Sequence, residues 1–236
     1  MEVKKNVQYD DIFNYEDIKL DILIDKINKD NKMTSVYDNI IIGLNNLGNT
    51  CYINCSLQII LHLKIFVNNL YKESKLLNNE VSNSLIQIID NISIYMNNEI
   101  KEDNDISISP YEFKNIFAKK HSLFNNNEQQ DCVEFLRILF EDLSKENNRV
   151  KENYSYKELD THNKDKKTII TDFHKLFLEK ENSFIIDNFY IQILNTYICQ
   201  CGYENYSCKK MLDFPLKMFK VKNYNLLDLI NLNIFL

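Results

Sequence analysis

The chain has 236 residues, of which 44% are hydrophobic, and it carries a formal net charge of -6 at pH 7. This apolar content is enough for a buried core in one large domain or two small ones. The acidic balance argues against a nucleic-acid-binding surface, and no apolar stretch has the length of a membrane span or of a signal-peptide core. We therefore predict a cytoplasmic or nuclear protein with neither nucleic acid nor membrane among its partners.

Six cysteines stand at positions 51, 55, 132, 199, 201 and 208. Disulfide frameworks are rare in the cytoplasm and nucleus, so a set of structural disulfides is not expected. Each cysteine is therefore assessed as a nucleophile, a metal ligand or a small apolar side chain of the core.

Residues 1–40 mix acidic and aliphatic residues without a regular period, which predicts a weakly ordered lead-in. A loop begins at Gly43, and a helix is expected after it. Apolar residues recur there at the spacing of one helical face, at Ile53, Leu57, Ile60 and Leu61. Cys51 is therefore expected at or near the N-terminus of this helix.

Two further helices follow in the sequence. One covers Val81–Tyr95, with an apolar side formed by Leu85, Ile88, Ile89 and Ile92. The other begins in "SPYEFKNIF", where Ser109 is the expected N-cap, Pro110 the first helical residue and Glu112 the partner in a capping box. Its expected buried residues are Phe113, Ile116 and Phe117.

A fourth helix is predicted from "EQQDCVEFLRILFEDL". Its broad apolar face consists of Cys132, Phe135, Leu136, Leu139, Phe140 and Leu143. Asp131 and Glu134 are i, i+3 neighbours on another face, where they could form charge-assisted bonds with basic side chains or remain ordinary solvated charges.

Residues 144–182 are mostly Lys, Asn, Glu and Asp, which predicts a polar insertion or linker. Residues 183–236 are then rich in aromatic and β-branched residues, with a turn expected at Cys201-Gly202-Tyr203, and are predicted to form antiparallel strands. Because helices come first and strands later, the expected fold class is α+β rather than a wound α/β sheet.

Cys51 is the first chemical candidate. A helix N-terminus favours the thiolate, Gly48 permits a sharp turn before it, and the side-chain amide of Asn46 could stabilise an oxyanion beside the sulfur. These features suit acyl transfer. The residues alone leave two alternatives open: a buried cysteine at a helix start, and a metal-ligand pair with Cys55.

The segment "GLNNLGNTCYINCSLQ" closely resembles the cysteine box of the ubiquitin-specific proteases, which are papain-like deubiquitinases. Residues 43–54 agree with the family pattern at every fixed position, as do Leu57 and Gln58. "NNNEQQDCVEFLRILFEDL" is similar to the family's Gln-Gln-Asp motif, and "YICQCGYENYSCKKMLDFPLKM" resembles the start of its fingers subdomain. The three segments occur in the family's order.

The resemblance implies a truncated papain-like fold. Residues 41–143 would be the helical thumb, and residues 183–236 would begin the fingers and palm strands, with most of the palm sheet missing. The implied reaction is hydrolysis of the bond after the C-terminal glycine of ubiquitin, so ubiquitin and ubiquitinated proteins are the implied partners. The implied roles are nucleophile for Cys51, oxyanion donor for Asn46, and binding of the ubiquitin C-terminal tail for Gln130, Asp131 and Glu134.

The resemblance also bears on the other cysteines. Cys55 and Cys132 fall where the family has small residues, so both are expected to fill the core. Many family members hold zinc between two CxxC pairs, but Cys199 and Cys201 are one residue too close together for such a pair, and no second pair follows. We expect no cofactor, and a vestigial zinc site at most.

A cysteine protease also needs a histidine oriented by Asp or Asn. The family's histidine box has no counterpart around His62, His121, His162 or His174, and the last three are expected to be solvated. We therefore expect a family member with incomplete machinery that is weak or inactive alone, with a missing C-terminal half supplied in cis or in trans. The alternatives are a catalytically inactive ubiquitin-binding module and a scaffold that keeps only the fold.

Overall fold

The computed structural model describes residues 42–74, 79–97, 107–151, 157–213 and 216. The predicted lead-in of residues 1–40 and the Pro215 segment that ends the fingers motif lie outside these residues. The chain divides into two compact units. We call them the helical unit, with described residues 42–151 and 181–188, and the hairpin unit, with described residues 157–180, 189–213 and 216.

The described residues form an α+β structure that is mostly helical, with two small sheets. Seven α-helices are present in them: α1 Cys51–Leu61, α2 Lys64–Ser74, α3 Glu80–Asn97, α4 Tyr111–Lys120, α5 Cys132–Glu146, α6 Lys166–Lys180 and α7 Phe184–Phe189. The strands are β1 Gly43–Leu44, β2 Ser107–Ile108, β3 Ile191–Ile198 and β4 Glu204–Met211. No single described helix is long and apolar enough to cross a membrane, and α1 with α2 passes that test only as a pair bent by 89°.

The core of the helical unit is a cluster of aromatic rings around Phe135. The Phe117 and Phe124 centroids lie 5.0 and 5.7 Å from the Phe135 centroid, and Tyr52 from α1 lies 5.5 Å away with its ring edge-on. Each of these four side chains is at most 5% exposed. Aromatic pairs in such arrangements add about 0.5–1.5 kcal/mol beyond the burial of their surface. The cluster therefore fixes α1 and α5 against each other, and both helices begin at the site described below.

The helices with regular apolar patterns form where the sequence predicts them. The predicted faces of α1 and α3 are buried along their length. On α5 the predicted residues Phe135, Leu139, Phe140 and Leu143 are buried, and Leu136 is half-buried. The predictions are confirmed for these buried residues, since apolar residues at helical spacing leave water by packing against a neighbour. Cys132, which was predicted on the same face of α5, is exposed.

The predicted start of α4 is wrong by one residue. The N-cap is Pro110 rather than Ser109, it makes no side-chain cap hydrogen bond, and the helix begins at Tyr111. The reason lies just upstream, where β2 pairs in parallel with β1, Gly43 opposite Ser107 and Leu44 opposite Ile108. This pairing holds the chain extended through Ile108, and proline then supplies neither an N–H nor a side-chain acceptor.

Residues 144–182, predicted as a polar insertion or linker, include the whole of α6. Asp165 stabilises its start, because its carboxylate accepts hydrogen bonds from Thr168 N at 2.9 Å and Thr168 Oγ1 at 2.7 Å. Ile169 is fully buried, and Gln192 Nε2 donates to Ile170 O at 2.8 Å, which joins β3 to the helix. The polar segment therefore contains a helix with a capped N-terminus and one fully buried apolar residue, Ile169.

The segment after α6 is partly helical and partly a hairpin. Residues 184–189 form α7, although strands were predicted from residue 183, because a short run of adjacent apolar residues fits a buried helix as well as a strand. The predicted antiparallel strands are confirmed for β3 and β4, which pair from Ile191 opposite Met211 to Ile198 opposite Glu204. Gly202, with φ +82°, lies in the turn between them.

Candidate active site

Cys51 is the first residue of α1, and its side chain is exposed. The chain reverses direction immediately before it, because Gly48 has φ 95° and Asn49 has φ 51°. Both values lie in the left-handed region, which glycine adopts without strain and asparagine tolerates better than most residues. The Gly-Asn pair therefore permits the sharp approach that presents the Cys51 thiol at the start of the helix.

The side chain of Asn46 organises this loop. Its Oδ1 accepts hydrogen bonds from Gly48 N at 3.0 Å, Thr50 N at 3.2 Å and Thr50 Oγ1 at 3.2 Å. Backbone N–H groups can only donate, so the amide oxygen must face them. The Nδ2 group has no hydrogen-bond acceptor among the described residues, and Asn46 is exposed. A donor therefore remains available five residues before the Cys51 thiol.

The N-terminus of α1 is not capped by a side chain. Thr50 occupies the N-cap position, but its hydroxyl accepts from Leu47 N at 2.9 Å and donates to Asn46, so it makes no cap hydrogen bond. The N–H groups of the first turn thus lack a side-chain acceptor at the N-cap. Such groups carry the positive end of the helix dipole, which stabilises negative charge beside them.

Two amides on α1 hold the approach to the loop. Asn54 Nδ2 donates to Leu44 O at 3.0 Å and to Asn45 O at 3.2 Å, and Gln58 Nε2 donates to Ile42 O at 2.7 Å. These bonds join β1 to the helix that starts with Cys51. Tyr52 anchors the same turn in the core, and its pKa is raised first by burial and then by the charge of Cys51.

The predicted tail-binding residues lie at the start of α5. Asp131 is the N-cap of this helix, and its Oδ1 accepts from Val133 N at 2.7 Å and Glu134 N at 2.9 Å. Gln130 Nε2 donates to Leu123 O at 3.3 Å. Asp131 and Glu134 are exposed and form no ion pair with another described residue. One carboxylate oxygen of Asp131 and the whole carboxylate of Glu134 can therefore accept further hydrogen bonds.

A direct hydrogen bond joins the two loops. Asn49 Nδ2 donates to Asn127 O at 2.8 Å, so the loop before Cys51 is attached to the loop that leads to Gln130 and Asp131. The structure thus brings together two motifs that are almost 80 residues apart in sequence. The sequence predictions did not include this role of Asn49, although a Gly-Asn pair is a recognisable signal of left-handed turn geometry.

Two cysteine predictions are wrong. Cys55 and Cys132, expected in the core, are both exposed. Cys55 lies one turn after Cys51 on the same helix face, so it shares the exposure of Cys51. Cys132 is the first residue of α5, three positions before Phe135, the first buried residue of the helix.

Cys199 and Cys201, the two residues of the expected vestigial zinc site, are exposed in the hairpin turn. In the part of the chain that the structure describes, no group of three or more His, Cys, Asp and Glu side chains is arranged to hold a metal ion.

His121 differs from its predicted solvated state. Its ring lies 4.7 Å from the Phe117 ring, and its Nε2 lies 2.6 Å from Oδ2 of the buried Asp142. His62 Nδ1 lies 2.6 Å from Gln58 O at the end of α1. Among the described residues, no hydrogen bond joins a histidine to Cys51. The described residues therefore present an exposed thiol and an unused amide donor at the start of α1, with no histidine hydrogen-bonded to that thiol.

Comparison with known proteins places these features in a family context. The family model described as ubiquitin carboxyl-terminal hydrolase matches residues 42–223. Ubiquitin carboxyl-terminal hydrolase 4 of the yeast Vanderwaltozyma polyspora is 28% identical over 227 residues, covering 84% of this chain and 26% of that protein. Its namesake in Saccharomyces cerevisiae (strain ATCC 204508 / S288c) is 34% identical over 125 residues, covering 50% of this chain and 14% of the relative.

Ubiquitin carboxyl-terminal hydrolase 15 of Homo sapiens is 24% identical over 184 residues, or 74% of this chain and 19% of the human protein. Among solved structures, a chain of the SAGA DUB module that contains Ubp8 and is bound to monoubiquitin matches with a TM-score of 0.55. That match covers 89% of this chain and 44% of the other, at 14% identity, and shows the fold alone. The chain spans less than a third of the length of these curated relatives.

Proposed function

Because the chain belongs to the ubiquitin carboxyl-terminal hydrolase family, we propose that it is a cysteine-type deubiquitinase that acts on the bond after the C-terminal glycine of ubiquitin. The observation that carries the proposal is the exposed Cys51 thiol at an uncapped helix N-terminus, next to an asparagine whose amide N–H₂ is unused. This is the arrangement that acyl transfer to sulfur requires.

The reaction assigned to these residues has two stages. The Cys51 thiolate attacks the carbonyl carbon of the terminal glycine, and the negative charge that develops on oxygen is stabilised by Asn46 Nδ2 and by N–H groups at the start of α1. The intermediate then expels the amine and leaves a thioester, which water hydrolyses. Expulsion of an amine requires a proton donor, and no described histidine contacts Cys51. We therefore expect weak or no cleavage by this chain alone.

Asp131 and Glu134 are proposed to bind the basic side chains of the ubiquitin tail, with Gln130 beside them. Their supporting feature is the carboxylate oxygens left free after Asp131 has capped α5. The Asn49–Asn127 hydrogen bond attaches this acidic surface to the loop that carries Asn46 and precedes Cys51. A tail bound by the acidic pair would therefore extend toward the loop that presents the nucleophile.

A ubiquitin with a C-terminal electrophile tests the proposal. We expect slow formation of one covalent adduct at Cys51, identified by peptide mass spectrometry and absent in Cys51→Ala. Cys55→Ala is the matched control, because Cys55 is exposed one turn away and should be dispensable. An adduct that persists in Cys51→Ala would exclude Cys51 as the nucleophile, and rapid labelling at neutral pH would contradict the expected weakness.

The second candidate function is a catalytically inactive ubiquitin-binding module, and the absence of a histidine contact to Cys51 among the described residues favours it. It predicts ubiquitin affinity that survives Cys51→Ala but decreases in Asp131→Arg with Glu134→Arg. Titration of ¹⁵N-labelled ubiquitin followed by NMR would measure both. Ubiquitin binding that is unchanged by the two charge reversals would reject this candidate. Formation of the Cys51 adduct with the electrophile would distinguish an enzyme from a binding module.

A further inference from the structure

Asn54, in the first turn of α1, holds the main chain that leads into the proposed oxyanion donor. Its Nδ2 group donates to Leu44 O at 3.0 Å and to Asn45 O at 3.2 Å. Asn45 is also held from the other side, because its N–H donates to Ile108 O at 2.9 Å. Both hydrogen-bonding groups of the Asn45 main chain are therefore engaged, and the chain enters Asn46 from a fixed position.

The Cys51 nucleophile and Asn54 belong to the same helix. They are three residues apart, which is about 4.5 Å along the helix axis, and residues at this spacing are neighbours on the helix surface. The N–H of Asn54 donates to Thr50 O at 3.0 Å, which closes the turn that contains Cys51. Asn54 therefore connects the main chain before Asn46 to the same rigid turn that carries the thiol.

The orientation of the Asn46 side chain and the position of its main chain have different supports. Asn46 Oδ1 accepts from Gly48 N and from the N–H and hydroxyl of Thr50, so these donors leave the Nδ2 group facing away from the loop. They all belong to the loop that ends at the N-cap Thr50. Asn54 adds the connection from within the helix.

The other half of the Asn54 amide opposes folding. Asn54 Oδ1 is buried and accepts no hydrogen bond from any described residue. A buried acceptor without a donor is destabilising, whereas leucine, which has the same branching of heavy atoms, would avoid that loss. Asparagine thus contributes two donors here at the expense of stability, a combination that is typical of functional sites.

We propose that Asn54 is a positioning residue for acyl transfer at Cys51: its two hydrogen bonds hold Asn46 where the Nδ2 group can donate to the oxyanion. The inference rests on the proposed function, because it concerns the oxyanion donor of that site. Asn54 touches no reacting atom and acts only through Asn46. Oxyanion donors must lie about 2.7–3.1 Å from the oxygen, and a misplacement of about 1 Å can slow a reaction about 100-fold.

The test compares two reactions of the Cys51 thiol in the full chain with Cys55→Ala, so that α1 carries a single thiol. Acetylation by p-nitrophenyl acetate passes through an oxyanion and needs no ubiquitin, whereas alkylation by iodoacetamide forms no oxyanion. Peptide mass spectrometry in alkaline buffer measures both rates. Asn54→Ala should slow acetylation about 10-fold, less than the loss of about 100-fold expected for Asn46→Asp, because a displaced donor still contributes. Alkylation should keep its wild-type rate.

The double variant with Asn46→Asp and Asn54→Ala tests whether Asn54 acts through Asn46. Once the Asn46 donor is absent, Asn54→Ala should slow acetylation by no more than about 2-fold, because the two residues act as one unit. A full effect of Asn54→Ala in that background, or equal slowing of acetylation and alkylation, would overturn the proposal. Acetylation of either single variant at the wild-type rate would also overturn it.

Asn79→Ala is the matched control for lost stability. Asn79 Nδ2 donates to Glu146 O at 2.9 Å, so the variant loses a hydrogen bond of the same kind, at the opposite end of α5 from Asp131. It should acetylate at the wild-type rate, and slowing equal to that of Asn54→Ala would overturn the proposal. Asn54→Leu is the second variant if Asn54→Ala does not fold, and it should slow acetylation to the same extent.

Ubiquitin with an activated C-terminal ester separates this inference from the proposed function. The same variants should slow its transfer to Cys51 in the same order as they slow acetylation. If the ubiquitin ester fails to acylate Cys51 while p-nitrophenyl acetate still shows the dependence of Asn54→Ala on Asn46, the proposed function is rejected and the positioning role of Asn54 is supported.

Discussion

Helices α1 and α5 begin in opposite ways, although the loops that lead into them are joined by a hydrogen bond. At α5, Asp131 accepts from two N–H groups of the first turn, so the N-terminus is closed by its own N-cap. At α1, the hydroxyl of Thr50 and the oxygen of Asn46 are both engaged within the loop, and no side chain caps the helix. The closed N-terminus stabilises the fold, whereas the open one leaves N–H donors that, in the proposed function, would stabilise an oxyanion.

The largest expected effect comes from removing the free donor at the open N-terminus. Asn46→Asp preserves an oxygen acceptor for Gly48 N and Thr50 N but replaces the N–H₂ group by a second oxygen. We expect acylation of Cys51 by an activated ubiquitin C-terminal ester to slow about 100-fold, the lower end for loss of one oxyanion donor. Mass spectrometry in alkaline buffer, where thiols ionise without a base, measures the rate.

The outcome of this substitution separates structure from chemistry. If Asn46 only organises the loop, Asn46→Asp should acylate at the wild-type rate, whereas Asn46→Ala, which removes the acceptor as well, should also lower the free energy of unfolding. A rate equal to wild type in Asn46→Asp would refute the oxyanion role.

The second effect concerns the turn that leads to the open N-terminus. A Cβ at Gly48 would meet no atom within 4 Å, so Gly48→Ala introduces no clash. It does place alanine at φ 95°, which we expect to destabilise the protein by about 1–2 kcal/mol. Urea unfolding of wild type and Gly48→Ala measures this change. If Gly48→Ala is as stable as wild type, the turn does not require the positive φ at this position.

The third effect comes from removing the side chain that caps α5. Asp131→Ala removes the acceptor for two N–H groups and should cost about 1 kcal/mol of the free energy of unfolding. Asp131→Asn retains the cap and removes the charge, so its stability should stay near wild type while affinity for the basic ubiquitin tail decreases. Denaturant unfolding and ubiquitin titration on both variants separate the two roles. Equal ubiquitin binding by wild type and Asp131→Asn would remove Asp131 from the proposed tail site.

The smallest effect depends on pH. The pKa of Tyr52 is raised above its ordinary value of 10 in the folded protein, so the folded state retains that proton more strongly than the unfolded chain. The corresponding stability is complete below pH 10 and is lost as the pH rises from 10 through the raised pKa of the folded state. Unfolding of wild type and Tyr52→Phe at pH 9 and above pH 10 should show a smaller alkaline loss in the variant. Parallel losses would assign the decline to other groups.

The contrast between the two helix starts also indicates how much of the site is predictable from sequence. The motif residues and the apolar faces of α1, α3 and α5 follow from local pattern, since burial of a periodic face needs only a partner helix. The open cap does not follow, because Thr50 is a preferred N-cap residue and only the competing bonds with Leu47 and Asn46 divert its hydroxyl.

The errors have similar causes. Cys55 was expected in the core because the resembling family has a small residue at that position, yet its place one turn after an exposed Cys51 determines its environment. The start of α4 depends on the β1–β2 pairing, and the partners of His121 depend on Asp142 on another helix. Contacts between segments distant in sequence are decided by tertiary packing, which local pattern does not encode.

The β1–β2 pairing has a kinetic consequence. Gly43 and Leu44 reach their partners Ser107 and Ile108 only after the chain that contains α1, α2 and α3 has closed into a loop. Local helices form in microseconds or less. Closing a loop of this length costs conformational entropy before the two residue pairs of the sheet can form. The β1–β2 sheet should therefore form late in folding, and a partly folded chain would contain α1 and its local loop contacts well before it contains this sheet.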